Sequence, residues 1–257
     1  MCVGSVVLGD ERKDAGNILQ LPAGTVSRSE LDEIAMPELG DGNLAGIISR
    51  YYSEGLGGVE NWNDISSLKI VGSLELETGN YEFKAYQKKP NLAKMTIRGG
   101  DRGIMLGYDG EVAWEKLSKR GARAELMSEP EARRFKYKAK FASLLLYPFA
   151  EGKKIEYIDT VPMDGNICHH VQVTLDDAYQ VDYFIDIRSS LEVKVVRTDL
   201  KDGVVHSVIC RDYDRISGMP VARHVESYEA GEWVSTLTVE EVKVNSGVIP
   251  WMFRMPR

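Results

Sequence analysis

Ser73-Leu74-Glu75-Leu76-Glu77-Thr78-Gly79-Asn80-Tyr81-Glu82-Phe83-Lys84-Ala85 changes character at almost every step. Leu74 and Leu76 alternate with Glu75 and Glu77, and beyond Gly79-Asn80 the alternation resumes with Tyr81, Phe83 and Ala85 set against Glu82 and Lys84. A period of two gives each strand one apolar and one wet face, and a Gly-Asn pair between two such runs marks a hairpin. Met95 and Ile97, flanked by Lys94, Thr96 and Arg98, repeat the pattern, and Gly99-Gly100 and Asp109-Gly110 supply turns before Val112 to Trp114. The stretch predicts an antiparallel meander.

On its N-terminal side the period changes. Leu44, Ile47, Ile48 and Tyr51 recur at helical spacing after Asp41, a candidate cap, and Gly55, Gly57 and Gly58 end the run. On its C-terminal side, Ser128-Glu129-Pro130-Glu131 reads as a capping box opening a second helix, with Phe135, Ala139, Ala142, Leu145 and Leu146 along one side and Pro148 and Gly152 closing it. This helix lies between two sets of hairpin-linked strands, so it predicts a cover laid across a sheet rather than a parallel crossover.

The second set follows. Val171, Val173 and Leu175, then Tyr179, Val181, Tyr183 and Ile185, then Val193 and Val195 alternate, and Asp202-Gly203, Gly218 and Gly231-Glu232 punctuate the runs up to Val244. The total is eleven or twelve short, evenly spaced strands, as in a barrel or sandwich. Residues 1–40 show no sustained period and read as an extended arm, and 41–257 as a single domain. Within the arm, Val7 and Gly9 are spaced like a cleavage site, so Met1 to Gly9 is expected to be the tail of a secretory signal beginning upstream.

Composition narrows the function. The 257 residues are 43% apolar and 28% charged, which suits a packed globular fold. A net charge of −7 with scattered basic residues gives no field for nucleic acid. Arg133, Arg134, Lys136, Lys138 and Lys140 share the second predicted helix, as a solvated face or as a contact for anionic headgroups. No stretch reaches the ~20 apolar residues of a membrane-spanning helix.

Cys2, Cys168 and Cys210 form no metal or redox spacing, and pairing of Cys168 with Cys210 is left open. No G-x-S-x-G, H-E-x-x-H or phosphate-loop motif occurs. His169-His170 would point to opposite faces of a strand, against a shared metal, and His206 and His224 stand alone in strands. Asp212-Tyr213-Asp214-Arg215 reads as a strand-end ion pair, with acid–base chemistry as the alternative. Neither a catalytic residue, a metal nor a cofactor is expected.

Gly72-Ser73-Leu74-Glu75-Leu76, Lys88-Lys89-Pro90-Asn91-Leu92 and Tyr108-Asp109-Gly110-Glu111-Val112-Ala113-Trp114 stand in the order and approximate spacing of the outer-membrane lipoprotein-sorting proteins. From about Leu44 to Val244 the chain resembles this LolA/LolB-like group. The resemblance implies an α+β, mainly β fold: an open antiparallel half-barrel with helices covering its concave face. It also implies an apolar cavity for the acyl chains of a lipoprotein or lipid in periplasmic transit, passed from an inner-membrane donor to an outer-membrane acceptor.

Leu74, Leu76, Tyr81, Phe83, Met95, Ile97, Met105 and Trp114 are the expected cavity wall, and Phe135, Ala139, Ala142, Leu145 and Leu146 the lid. The group's Arg-Pro pair, whose arginine is associated with holding the lid, aligns with Lys89-Pro90, so Lys89 is the candidate latch, a point charge in place of a planar fork. Withdrawing each methylene from water is favourable by about 0.8 kcal/mol, so a carrier of acyl chains needs an enclosed apolar surface, and flexible methionines suit one. The same half-barrel also serves lipid-sensing regulators, a second reading, and a lipid-modifying hydrolase is a third. A lipid on Cys2 would make the chain a membrane-anchored protein.

Overall fold

The computed structural model describes residues 17–20, 42–119, 121–141, 143–145, 153–175 and 178–257. Asp41, the expected cap, and Cys2 lie outside them, as do Ala142 and Leu146 of the expected lid.

In chain order the strands are β1 (Ile18–Gln20), β2 (Ser67–Leu76), β3 (Gly79–Lys88), β4 (Leu92–Gly99), β5 (Arg102–Tyr108), β6 (Ala113–Leu117) and β7 (Glu125–Leu126). After them come β8 (Lys154–Met163), β9 (Asn166–Leu175), β10 (Tyr179–Asp186), β11 (Glu192–Asp199), β12 (Val205–Ile216), β13 (Met219–Glu229) and β14 (Glu232–Val244). All fourteen join one sheet in the order β1-β8-β9-β10-β11-β12-β13-β14-β2-β3-β4-β5-β6-β7, and every neighbouring pair is antiparallel. β1 and β7 are the two ends and do not pair, so the sheet is an open half-barrel. The count exceeds the eleven or twelve strands read from sequence because β1 and β7 are too short to show a period.

The β14–β2 pairing returns the late chain to the early chain and makes the two meanders one surface. Register fixes which side chains share that surface, since directly opposed residues point the same way and a one-residue step reverses the face.

Among the described residues three α-helices lie on the concave side: α1 (Asn43–Arg50), continued by a π-helical turn Tyr51–Gly55, then α2 (Val59–Asp64) and α3 (Glu129–Lys138). Leu44, Ile47 and Ile48 form the buried stripe of α1, as its period requires. The capping box of α3 is present, with the Ser128 N–H donating to Glu131 Oε2 at 3.2 Å. The π turn sits hard against the β10–β11 turn: a Cβ on Gly55 would lie 2.2 Å from the Ser190 carbonyl oxygen, which leaves room for glycine alone.

α3 is shorter than its apolar pattern suggested, and Leu145 is not on it. After Ala139 two backbone donors find tertiary partners. The Phe141 N–H donates to the Pro90 carbonyl at 3.2 Å, and the Leu144 N–H to the Tyr183 hydroxyl at 2.9 Å. Freed from helical geometry, Phe141, Leu144 and Leu145 enter the core as an irregular plug. Tertiary packing overrides local pattern here.

Candidate functional site

The concave face divides into two territories. Across β8–β11, Ile155, Val171, Val173, Tyr179, Val181, Tyr183 and Ile185 merge with α1, the π turn, Trp62 of α2 and the plug into the main core. Its members are almost fully buried, and no acyl chain fits among them. Across β2–β4 the apolar side chains form a smaller cluster of strand residues only: Leu74, Phe83 and Ala85 are buried, while Ile70, Leu76, Tyr81, Met95, Ile97 and Leu237 pack around them half-buried.

Six of the eight expected wall residues, Leu74, Leu76, Tyr81, Phe83, Met95 and Ile97, meet on this strip. The other two do not. Met95 opposes Leu106, so Met105 points to the convex face, and Trp114 opposes Gly107 on that same face. Trp114 is wholly buried there, its Nε1 donating to the Phe253 carbonyl at 2.8 Å beneath a 3-10 turn, Pro250–Phe253. The ring lies so close to Gly107 that a Cβ would come within 2.2 Å of Cζ2. Met105 borders a convex groove with Lys94, Arg98, Lys116 and the exposed Trp251. The sequence alternates apolar and polar residues at these positions in the opposite phase, because the convex side is also covered near β6.

α3 bridges the mouth of the half-barrel. Phe135 and Ala139 pack on Ala93, Tyr108 and Ala113 of the β4–β6 rim. Tyr137 stacks on Tyr179 of β10, with ring centroids 4.3 Å apart and planes 13° from parallel. Arg133 donates to Asp199 at 2.9 Å, and Arg134 pairs with Asp202, fastening α3 to the β11–β12 turn. Asp199 is fully buried; burial raises its pKa, but the Arg133 hydrogen bond and the Lys201 N–H outweigh this and hold the carboxyl below its ordinary value. Sequence reading left these arginines as a solvated face or a headgroup contact. Instead they tie the cover to the far rim, and the only signal was the acidic Asp199-Leu200-Lys201-Asp202 turn sixty-odd residues on.

Lys89, the candidate latch, holds a different helix. Its Nζ donates to the carbonyls of Trp62 at 2.6 Å and Asn63 at 3.2 Å, at the C-terminal end of α2, where unsatisfied carbonyls attract a cation. The ammonium also lies 5.8 Å from the Phe141 ring centroid.

Under the C-terminal end of α3 lies a cavity of about 230 Å³. Its apolar wall is Leu56, Trp62, Leu144, Leu191 and Pro220, and its polar lining is Tyr51, Ser143, Tyr183, Glu192 and Tyr213, with Lys138, Lys140 and Arg197 among the surrounding groups. The Tyr51 hydroxyl donates to the Glu192 carboxylate, and the Tyr213 hydroxyl to the Glu192 carbonyl at 2.8 Å. Burial raises the Glu192 carboxyl above its ordinary range despite that bond and the nearby Arg197. Sequence periodicity could not reveal this cavity, since its polar groups come from five separate segments.

The remaining polar candidates take structural places. His170 bonds Asp182 at 2.8 Å and stacks on Phe184, while His169 faces the opposite side against Tyr157. His206 approaches Glu229 at 3.9 Å, and His224 lies 3.7 Å from Glu226. Among the described residues no cluster of three metal-ligating side chains occurs. Asp214 pairs with Arg223 at 2.8 Å, Arg215 donates to the carbonyls of Glu54, Gly55 and Gly218, and Asp212 is a left-handed residue at a break in register. These side chains do not converge. Cys168 and Cys210 are on β9 and β12, three strands apart, about 14 Å at ordinary strand spacing, so no disulfide joins them.

No family model and no curated protein matches the chain. Solved structures do. A domain named as an outer membrane lipoprotein-sorting protein from Vibrio parahaemolyticus superposes with TM-score 0.53 at 11% identity, covering 81% of this chain and 94% of that one. A DUF1329 family protein from Desulfovibrio piger gives 0.54 at 14% identity, over 81% and 95%. A LolA superfamily protein from Nitrosomonas europaea gives 0.50 at 11% identity, over 81% and 96%. No helix among the described residues is long and apolar enough to cross a membrane. The half-barrel, its helical cover and these superpositions together give the chain a LolA-like fold.

Proposed function

We propose that the protein is a non-enzymatic periplasmic carrier that shelters acyl chains of lipoproteins or lipids on its concave face and passes them towards the outer membrane. One observation carries this reading: the apolar strip of β2–β4, centred on Leu74, Phe83 and Ala85, has no helix residue in its cluster and meets the α3 bridge at its edge, through Met95. Half-buried apolar side chains on the inner wall of an open sheet are a surface awaiting cover. Release of the Arg133–Asp199 and Arg134–Asp202 ties would let α3 swing from the β11–β12 rim, with Lys89 keeping α2 in place.

Transfer needs no nucleotide site. Differing affinities of an inner-membrane donor, this chain and an outer-membrane acceptor set the direction. Native mass spectrometry of protein purified from its own envelope, with titration of a fluorescent acyl probe, tests the proposal. The expected result is co-purified lipid and saturable probe binding; protein that stays ligand-free and ignores the probe refutes it.

A further inference from the structure

We infer that the cavity under α3 is a headgroup site, in which Arg197 receives the oxyanion of an amphiphile whose tail runs across the concave face to the β2–β4 strip. This deepens the carrier reading and rests on it.

Arg197 borders the cavity and makes no hydrogen bond or ion pair among the described residues, although its guanidinium carries five donors. Unpaired guanidinium at a half-buried position is a standing invitation to a carboxylate or phosphate, which it binds through two parallel hydrogen bonds. Lys138 lines the same cavity and, among the described residues, enters no ion pair. Of the acids nearby, Glu192 accepts from the Tyr51 hydroxyl and feels Arg197 only electrostatically, Asp199 and Asp202 pair with Arg133 and Arg134, and the half-exposed Glu229 lies 3.9 Å from His206.

A path for the tail is set by register. Cys210 lies three residues before the cavity-lining Tyr213 and opposes Val225; Val225 opposes Leu237, Leu237 opposes Leu74, and Leu74 opposes Tyr81. These five side chains form one row on the concave side. Four strand spacings make it about 19 Å long, the order of an extended acyl chain.

The test uses one chain length with different heads: laurate, methyl laurate, dodecyl phosphate and inorganic phosphate, titrated by calorimetry against the full protein, Arg197→Gln and Arg197→Lys, with circular dichroism confirming the fold of each variant. Laurate or dodecyl phosphate is expected to bind at least about tenfold more tightly than methyl laurate, a preference that collapses in Arg197→Gln and partly survives in Arg197→Lys. Preference for only one of the two anions identifies the headgroup as carboxylate or phosphate.

Equal binding of laurate and its ester, or an undiminished preference in Arg197→Gln, overturns the headgroup site and leaves the carrier standing. Inorganic phosphate binding as tightly as dodecyl phosphate overturns the role of the tail row. Failure of all the chain-bearing compounds to bind overturns both readings.

Discussion

The β8–β11 and β2–β4 parts of the sheet share one concave face and one alternating pattern, yet they are used differently. Val171, Val173, Tyr179, Val181 and Tyr183 of the first disappear beneath α1, the π turn and the plug. Leu76, Tyr81 and Ile97 of the second stay half-buried against strand neighbours, and Met95 at its edge also packs on the cluster beneath α3. Alternation therefore identifies an inner face without saying what covers it. The dense part supplies the stability that lets the other part leave apolar surface available.

Substitutions separate the two most sharply at their centres. Ile48→Ala, emptying a fully buried position under β8–β11, should cost about 4 kcal/mol in urea unfolding and leave acyl-probe affinity within a factor of about two. Ile97→Asp should shift the balance, costing about 1–2 kcal/mol of stability while weakening the probe about tenfold. Equal effects of both on binding would break the division.

Asp199→Ala leaves Arg133 without its buried partner and should cost about 3 kcal/mol, together with faster probe exchange in stopped-flow measurements as α3 loses its far anchor. The folded carboxyl is held below its ordinary value, so its stabilising contribution is present at neutral pH and disappears only as pH falls below the usual carboxylate range. Wild-type and variant unfolding curves should therefore converge in acid.

Lys89→Met removes the cation from the Trp62 and Asn63 carbonyls and should cost about 1–2 kcal/mol, with much of it restored in Lys89→Arg. The smallest effect is expected at Glu192. Its raised carboxyl stabilises the fold below the ordinary carboxylate pKa, and that contribution is lost as pH rises through the folded value. Glu192→Gln should thus flatten the dependence of melting temperature on pH above the carboxylate range, measured by calorimetry.

Much of the fold was legible because hairpins are local. Asp109-Gly110 lies at the turn its chemistry announces, the first hairpin turns at Glu77-Thr78 with Gly79-Asn80 as the first paired residues of β3, and Ser128 to Glu131 opens α3 as a capping box. The site was only partly legible. Period two put six of the expected wall residues on one strip, but Met105 and Trp114 belong to the convex surface, where Trp114 is buried by the distant Pro250–Phe253 turn, which no local pattern encodes. Leu145 kept its core role and lost its helix, because Tyr183 and Pro90 claimed the backbone donors of the segment. The Arg133–Asp199 tie and the Arg197 cavity depend on pairings across the sheet, beyond the reach of spacing rules.

Photo-crosslinking with a diazirine-bearing fatty acid, followed by mass-spectrometric mapping of the labelled peptides, tests the central claim most directly. The account predicts saturable adducts on β2–β4, between Ile70 and Ile97, reduced in Ile97→Asp. Adducts confined to the convex groove around Met105 and Trp251, or no saturable labelling at all, would contradict it.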